Sequence, residues 1–456
     1  MNATRLGCNM RTVLLNCGPI AHLDNGNNKP FTGSLIDDVE NLVKTSSSIV
    51  MQDDVIQSID DTESISSEYL STSLTNSKNK SPSVIQSSED LLIWDVCGLA
   101  VIPGLIDAHT HLLWAGDRSR EVLWKQAGYS YSQIADMGGG IGHTVSETRS
   151  ASDNDLITIG VNRMKIALNY GTTMMEVKSG YGLDTESELR LLNCAHKISS
   201  LPGMPKLDLT WLGAHATPPG RKGASKDDAR KSYVEEIISE QLPRVIEQGY
   251  ARSSDVFCEP GWFTLEETHM ISESAMKGGL DIRLHVDEFC DGGGMNLAAE
   301  LGATTADHAY FSPLESRKKA SEKGTLQGFL LGTPHSMGME MPPVSECVEN
   351  DIAYTLATDF NPNCNSLSLP FIGSLAVQRC NIDPLSALAA VTTNAASGIV
   401  RDDGLQQGVL RKGAIANLNI LRSVNWESWC LHQGTSPIEA TFISGKSVDI
   451  EKTLNI

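Results

Sequence analysis

Two histidines, His109 and His111, are separated by one residue and come directly after a predicted β-strand. Residues i and i+2 of a strand point to the same face, so both imidazoles can reach one ion. His285, His308 and Asp359 come at the ends of three later apolar runs. Imidazole and carboxylate suit zinc or iron, and an enzymatic site keeps one position open for water. We therefore predict a catalytic metal site formed by His109, His111, His285 and Asp359.

The elements that must position these residues alternate along the chain between short apolar runs and amphipathic helical segments. Eight runs have the composition of buried strands, namely Leu99–Ile106, Thr172–Val177, Leu207–Leu212, Asp255–Cys258, Leu280–Val286, Thr304–Ala309, Leu326–Leu331 and Ile352–Ala357. Helical patterns between them include Asp155–Asn169, Glu186–Ile198, Ser232–Gln248 and Leu265–Lys277. This alternation predicts an α/β fold, a (β/α)8 TIM-like barrel with its catalytic groups at the carboxyl ends of the strands. A doubly wound sheet is the alternative, but no Gly-x-Gly-x-x-Gly follows a strand.

The two ends of the chain contain further strand-like segments, which are Thr12–Leu15, Leu91–Val96, Asn417–Leu421 and Ala440–Ile443. We predict that residues 1–100 and 401–456 together build a small β-sandwich beside a catalytic barrel over residues 101–400. Residues 45–90 are acidic and rich in Ser and Thr. Because such a composition buries too little apolar surface to offset its conformational entropy, we expect a mobile insert there.

The composition excludes several classes of function. The 456 residues include 36 Lys and Arg against 56 Asp and Glu, which gives a net charge of −20. This balance argues against nucleic-acid binding, which needs clustered basic residues, and against docking on anionic lipid. No apolar run reaches the ~18 residues of a membrane span. The ten cysteines are scattered without a Cys-x-x-Cys pair, which favours a reduced, cytoplasmic protein.

The segment PGLIDAHTH at 103–111 resembles the first-strand signature of the amidohydrolase superfamily. Other segments are similar to the imidazolonepropionase family within that superfamily. They are HLLWAGDR at 111–118, GGGI at 138–141, EVKSGYGL at 176–183, LGAHA at 212–216, HVDEF at 285–289 and TDFNP at 358–362. The resemblance covers most of the chain after residue 90, and it implies a distorted barrel with a small β-sandwich built from both chain ends.

The resemblance also implies a reaction, the hydrolytic ring opening of 4-imidazolone-5-propanoate to N-formimidoyl-L-glutamate in histidine degradation. It implies one Zn or Fe ion per chain, which would activate the attacking water. Asp359 and Glu288 are the candidate proton carriers, and His308 is the candidate partner of the developing oxyanion. The sequence leaves open which of the two carboxylates acts as the first base.

The propionate of such a substrate needs a bidentate arginine and hydroxyl donors. Arg118, in the loop after the first strand, is similar to the family's substrate-binding arginine. The other positions that match family contacts to substrate are Tyr131, Tyr181, His215, Glu288 and Asn361. We also count Asn363 and Cys364 as substrate-binding candidates, although the family pattern usually has Gly followed by Thr or Ser at these two positions.

Two alternatives to this interpretation stay open. The first is another reaction of the same superfamily, such as hydrolysis of a different cyclic amide or deamination of a purine-like ring. The second is a scaffold that has lost its metal and binds a partner through the acidic insert. The presence of every proposed ligand disfavours the scaffold. We expect a small-molecule substrate, and the resemblance implies a homodimer.

Overall fold

The barrel is the larger part of the computed structural model, which describes residues 10–70, 81–130, 133–134, 137–218, 220, 225–399 and 403–448. Its eight strands pair in parallel and in chain order. They are Leu105–Asp107, Thr172–Lys178, Lys206–Ala214, Ser253–Cys258, Asp281–Val286, Thr305–His308, Leu326–Phe329 and Tyr354–Leu356. The predicted (β/α)8 barrel is confirmed.

The first and eighth barrel strands meet just beyond their carboxyl ends. Thr110 forms a parallel bridge with Phe360. The N–H of His111 donates to the carbonyl of Phe360 at 2.9 Å, and the N–H of Asp359 donates to the carbonyl of His109 at 3.1 Å. Barrel closure therefore brings together two segments that are far apart in the sequence, at the position where the predicted metal ligands lie.

The helix Thr62–Tyr69 packs against the strands Arg11–Leu15, Ser47–Gln52 and Val55–Asp61, whereas most helices cover the outside of the barrel or follow its last strand. Those of the described residues are Val39–Leu42, Thr62–Tyr69, Glu121–Gln126, Gly140–Ser150, Asp153–Asn169, Thr185–Ser199, Lys226–Glu236, Leu242–Gln248, Leu265–Lys277, Gly294–Leu301, Leu314–Glu322, Gly332–Met337, Val344–Glu349, Leu369–Cys380, Pro384–Ala390 and Thr393–Ser397. A π-helical turn over Ile237–Gln241 joins two of them, so the predicted helix Ser232–Gln248 is not regular. Polar side chains cap the N-termini of several of these helices. For example, Thr264 and Glu267 form a capping box at the start of Leu265–Lys277. None of the helices described has the length and apolar character that crossing a bilayer requires.

Two further sheets, built from both ends of the chain, form a β-sandwich. The five-stranded sheet has the order Val55–Asp61, Ser47–Gln52, Arg11–Leu15, Leu91–Asp95 and Ser83–Ser87. The six-stranded sheet has the order Lys446–Val448, Ile438–Ile443, Leu418–Leu421, Val101–Pro103, Ile20–Ala21 and Val43–Lys44. Leu14 and Ile49 of the first sheet share one apolar cluster with Val101 and Phe442 of the second. This cluster is the core between the two sheets.

The expectation of a mobile insert over residues 45–90 is wrong for the described part of that segment. Ser47–Gln52 lies inside the five-stranded sheet, paired on one side with Arg11–Leu15 and on the other with Val55–Asp61. The reason is the short run Ile49–Met51, which is buried although the surrounding composition is polar. Average composition hides a run of this length. Residues 71–80 of the predicted insert lie outside the described residues.

The predicted first barrel strand, Leu99–Ile106, is divided between two sheets. Val101–Pro103 belongs to the six-stranded sheet, and Leu105–Asp107 begins the barrel. Gly104 stands between them, where a Cβ atom would lie 2.4 Å from the hydroxyl oxygen of Thr173. Only glycine fits this close approach, so the chain changes sheets at a position that an apolar run by itself does not reveal.

Candidate metal centre and active site

His109, His111 and Asp359 converge where the first and eighth barrel strands meet. The closest oxygen of Asp359, Oδ1, lies 3.7 Å from Nε2 of His109 and 3.5 Å from Nε2 of His111. All three side chains are almost completely buried. The backbone hydrogen bonds between the two strand ends hold the three side chains at this spacing.

His285 reaches the same point from the fifth barrel strand. Its ring centroid lies 4.5 Å from that of His109 and 5.6 Å from that of His111. Ring nitrogens of these three histidines lie within 4.8 Å of one another, as do ligand atoms of His109, His308 and Asp359. The structure thus brings together all four predicted metal ligands, with His308 beside them.

The chemistry of this donor set suits a metal ion. Nε2 of His109 and Nε2 of His285 are buried without a hydrogen-bond partner among the described residues. Burial is the main cause that lowers the pKa of His109, His111 and His308 well below the ordinary value, and neighbouring cations and histidines add to it. These imidazoles are therefore neutral, which is the form that binds metal. Buried polar atoms without partners are rare, so this cluster fits a site for an ion.

Glu288 and His308 lie on adjacent strand ends beside the cluster. Oε2 of Glu288 is 3.6 Å from Nε2 of His308. Burial, together with the nearby carboxylates of Asp359 and Glu259, raises the pKa of Glu288 well above its ordinary value. A protonated carboxyl group can donate a hydrogen bond or a proton. His308 and Asp359 also have positive φ angles of 68° and 49°, and backbone strain of this kind is concentrated at functional sites.

The loop after Asp359 is organised by side chains that we predicted to bind substrate. Nδ2 of Asn361 donates to the carbonyl of Asp359 at 2.8 Å. Oδ1 of Asn361 accepts from the N–H groups of Asn363 and Cys364 at 2.7 and 3.1 Å. The Cys364 thiol is buried against the carbonyl of Thr358, and burial raises its pKa to about 12. In this structure Asn361 and Cys364 therefore make contacts that shape the loop.

Tyr181 and His215 lie beside His111. The ring of His215 stacks on that of His111 with centroids 5.0 Å apart and an angle of 19° between planes. Tyr181 meets His215 edge-on at 5.2 Å. Nδ1 of His215 lies 2.9 Å from the carbonyl of Gly180, and burial lowers the pKa of His215 to about 4. The neutral ring is thus fixed in place next to a predicted ligand.

Arg118 follows the first strand and is held by a nearby carboxylate. Its Nε and Nη2 donate to the two oxygens of Glu121 at 2.7 and 2.8 Å. Glu121 also accepts from the N–H of Gly140 at 2.7 Å, so it joins the Arg118 loop to the helix Gly140–Ser150. Tyr131, the other predicted substrate contact of this loop, lies outside the described residues.

Sequence comparison identifies relatives of this chain among known proteins. The chain is 37% identical to the imidazolonepropionase of Thermoanaerobacter pseudethanolicus over 366 residues, which are 80% of this chain and 86% of that protein. The chain belongs to the imidazolonepropionase family. It is also 37% identical to the imidazolonepropionase of Haloarcula marismortui, over 78% of this chain and 82% of that one. The predicted family is confirmed, although no family model matches the chain.

Solved structures of lower identity share the fold of this imidazolonepropionase-family chain. Ochratoxinase of A. niger superposes with a TM-score of 0.64 at 17% identity, covering 97% of this chain and 96% of that one. Atrazine chlorohydrolase of Arthrobacter aurescens, complexed with zinc, gives a TM-score of 0.63 at 14% identity, covering 97% and 98%. At these identities the likeness concerns the barrel and sandwich architecture alone.

Sequence reasoning missed several buried charged residues of this family member, all next to the histidines. Asp307 contacts His109, Asp255 contacts His285, and Lys178 contacts Asp255. Each lies in a barrel strand whose residues are all buried. A charged residue inside a predicted buried strand was the signal available in the sequence.

Proposed function

We propose that this chain hydrolyses 4-imidazolone-5-propanoate to N-formimidoyl-L-glutamate, a step of histidine degradation. The observation that carries the proposal is the convergence of His109, His111, His285 and Asp359 at the carboxyl end of the barrel in a chain of the imidazolonepropionase family. In barrel enzymes this end of the strands carries the catalytic groups.

We propose further that these four residues hold one Zn or Fe ion per chain. Three imidazoles and one carboxylate are a donor set that both metals accept. A bound ion would supply Lewis-acid activation of the attacking water. The zinc in the atrazine chlorohydrolase structure, which has the same fold, supports this assignment.

The proposed reaction needs two proton transfers, and the residues beside the metal site are assigned one each. Hydrolysis adds water to the ring carbonyl carbon and breaks the ring C–N bond, so one proton leaves the water and one reaches the departing ring nitrogen. Glu288, with its raised pKa, is suited to give a proton to the nitrogen. Asp359 is then the group that accepts the proton of water. His308, at 3.6 Å from Glu288, is placed to stabilise the developing oxyanion.

Substrate binding is assigned to the loops above the cluster. Arg118 would bind the propionate, because a guanidinium held by Glu121 on one edge has its plane fixed for a carboxylate. Tyr181 and His215 would contact the ring beside His111. Tyr131, Asn361, Asn363 and Cys364 complete the proposed set. The buried Cys364 would contribute through its backbone rather than its thiol.

The test is activity on 4-imidazolone-5-propanoate with metal quantified on the same purified sample. We expect formation of N-formimidoyl-L-glutamate and one Zn or Fe ion per chain. The matched control is Asp359→Asn, which keeps the size of the side chain and should lose activity. A protein that deaminates a purine-like ring and leaves imidazolonepropanoate untouched would overturn the substrate assignment. A folded protein that retains no metal and no activity would favour the scaffold.

Three coarser predictions accompany this function. The chain would divide into a sandwich from residues 1–100 and 401–456 and a catalytic barrel over 101–400. The strand Val101–Pro103 belongs to the sandwich sheet, which moves the first junction to Gly104. We propose a cytoplasmic location, which the free state of the nine described cysteines supports. A homodimer is expected from the resemblance, and light scattering of the purified protein would test it.

A further inference from the structure

In two of the proposed histidine ligands, a buried carboxylate lies beside Nδ1 of the imidazole ring. Nδ1 of His109 lies 2.8 Å from Oδ2 of Asp307, on the sixth barrel strand. Nδ1 of His285 lies 3.0 Å from Oδ2 of Asp255, on the fourth strand. Both carboxylates are at most 3% exposed. In each histidine, Nδ1 thus faces a carboxylate and leaves Nε2 as the nitrogen available to an ion.

A carboxylate oxygen only accepts hydrogen bonds, so it selects the tautomer of the imidazole. With the proton on Nδ1, the lone pair is on Nε2, where metal binding takes place. In His109, Nδ1 has the contact with Asp307 and Nε2 has no hydrogen-bond partner among the described residues. In His285, neither nitrogen makes a described hydrogen bond, and Nδ1 is the one that lies 3.0 Å from a carboxylate oxygen. We propose that Asp307 and Asp255 are positioning residues that hold His109 and His285 in the Nδ1–H tautomer, with Nε2 directed at the ion. This inference rests on the proposed metal-dependent function.

The surroundings of Asp307 indicate that the barrel makes room for this carboxylate. Gly328 lies on the adjacent seventh strand, and a Cβ atom there would come within 2.1 Å of Oδ1 of Asp307. The hydroxyl of Thr305 donates to Oδ2 of Asp307 at 3.2 Å. A side chain at position 328 would therefore displace the carboxylate that holds His109.

The surroundings of Asp255 explain how a second anion is stabilised at this depth. Nζ of Lys178 lies 2.8 Å from Oδ2 of Asp255 and 2.8 Å from Oε1 of Glu176. All three side chains are completely buried. An isolated charge would be costly there, and the lysine compensates for it. Asp255 therefore stays available as an acceptor for His285.

The variants Asp307→Asn and Asp307→Ala test the proposal in the full-length protein. Zn²⁺ affinity is measured by competition with a chelator, and the visible spectrum of the Co²⁺-loaded protein reports the ligand geometry. Loss of a carboxylate behind a metal-binding histidine typically weakens metal affinity by about 10–100-fold. We expect a decrease of this size and an altered Co²⁺ spectrum.

The matched control is Asp208→Asn. Asp208 is also a buried barrel carboxylate, but its charged neighbours are Arg283 and Arg252, at 3.6 and 3.4 Å. The Asp208→Asn substitution should leave the Zn²⁺ affinity and the Co²⁺ spectrum of the protein unchanged, even where it lowers the melting temperature. A folded Asp307 variant that binds Zn²⁺ as tightly as the parent protein would refute the role of Asp307.

Two measurements keep the proposal testable if the Asp307 variants do not fold. Asp255→Asn probes the second carboxylate by the same chelator competition. In the unaltered protein, labelled with ¹⁵N-histidine and loaded with Zn²⁺, the ring nitrogen shifts report which nitrogen carries the proton. We expect Nδ1–H for His109 and His285, and Nε2–H in either ring would overturn the proposal.

These outcomes separate failure of the inference from failure of the proposed function. A parent protein that binds Zn²⁺ and loses affinity in the Asp307 variants, yet leaves imidazolonepropanoate intact, contradicts the substrate and supports the positioning role. A parent that hydrolyses imidazolonepropanoate and whose Asp307 variants keep full metal affinity contradicts the positioning role alone. A folded parent that binds no divalent metal contradicts both.

Discussion

Lys178, near the carboxyl end of the second barrel strand, is a completely buried cation between two carboxylates. Its Nζ lies 2.8 Å from Glu176 and 2.8 Å from Asp255. Burial alone would lower the pKa of Lys178, but Asp255 and Glu176 raise it above the ordinary value. Burial likewise opposes ionisation of Asp255, whereas His285 and Lys178 outweigh it and lower the pKa of that carboxyl. Lys178 and Asp255 are therefore both charged at neutral pH.

The substitution Lys178→Met keeps the length of the side chain and removes its charge. It leaves Glu176 and Asp255 buried without the cation that both contact. Removing one partner of a buried ion pair costs about 3–5 kcal/mol, because the remaining charge is uncompensated. Typical proteins are stable by only about 5–15 kcal/mol. We therefore expect the free energy of unfolding to fall by a large fraction of its total.

Urea unfolding followed by tryptophan fluorescence measures this loss, on protein freed of metal by a chelator so that ligand binding does not contribute. Lys277→Met is the matched control, because Lys277 is 71% exposed and its ion pair among the described residues is with Glu273 on the same helix, at 3.2 Å. Such a surface pair contributes at most about 0.5 kcal/mol. Adding Glu176→Gln to Lys178→Met should recover part of the loss, since it removes one of the two buried anions that have lost the lysine. If Lys178→Met unfolds within about 1 kcal/mol of the parent, the reasoning about the buried charge is wrong.

Three further predictions concern the active site and the core. Arg118→Ala should raise KM for imidazolonepropanoate by about 30-fold or more, since losing a desolvated charge contact costs at least ~2 kcal/mol, and an unchanged KM would remove Arg118 from the site. Glu288→Gln should lower kcat by about 10²–10⁴-fold with little change in KM, and a normal kcat would exclude Glu288 as the proton donor. Gly373→Ala should lower the free energy of unfolding by about 1–3 kcal/mol, because its Cβ would lie 2.3 Å from the Trp429 ring. Urea denaturation of the Gly373→Ala variant should show a lower free energy of unfolding, and steady-state kinetics should show an unchanged KM. An unchanged free energy of unfolding would mean that the neighbouring side chains move to make room for the added methyl group.

The alternation of strands and helices was predictable because each element has a local signature in the sequence. Leu265–Lys277 matches its predicted bounds, since a capping box begins the helix and the apolar spacing is regular. The fifth barrel strand also matches closely, because Leu280–Val286 alternates apolar and polar residues and follows Gly279. Such signals need no information from distant residues. The barrel fold could therefore be predicted from the order of elements.

The errors arose where a distant partner decides the structure. Ile49–Met51 is a short apolar run in a polar segment, and it becomes a buried strand because Arg11–Leu15 and Val55–Asp61 pair with it on both sides. The split of Leu99–Ile106 at Gly104 depends on the approach of Thr173. Neither feature has a strong signal in the local sequence, because each depends on packing between elements that are distant along the chain.

The sequence alone determined the types of groups at the site, from the His-x-His pair and the histidines and aspartate at later strand ends, and the order in which the barrel presents them. The tertiary structure decided their geometry. Barrel closure places Asp359 within 4 Å of His109 and His111. Strand register places Asp307 behind His109, and Asp255 behind His285. The physical reason is that residue type and spacing are local, whereas contacts between strand ends arise only when eight strands pair in register and the sheet closes.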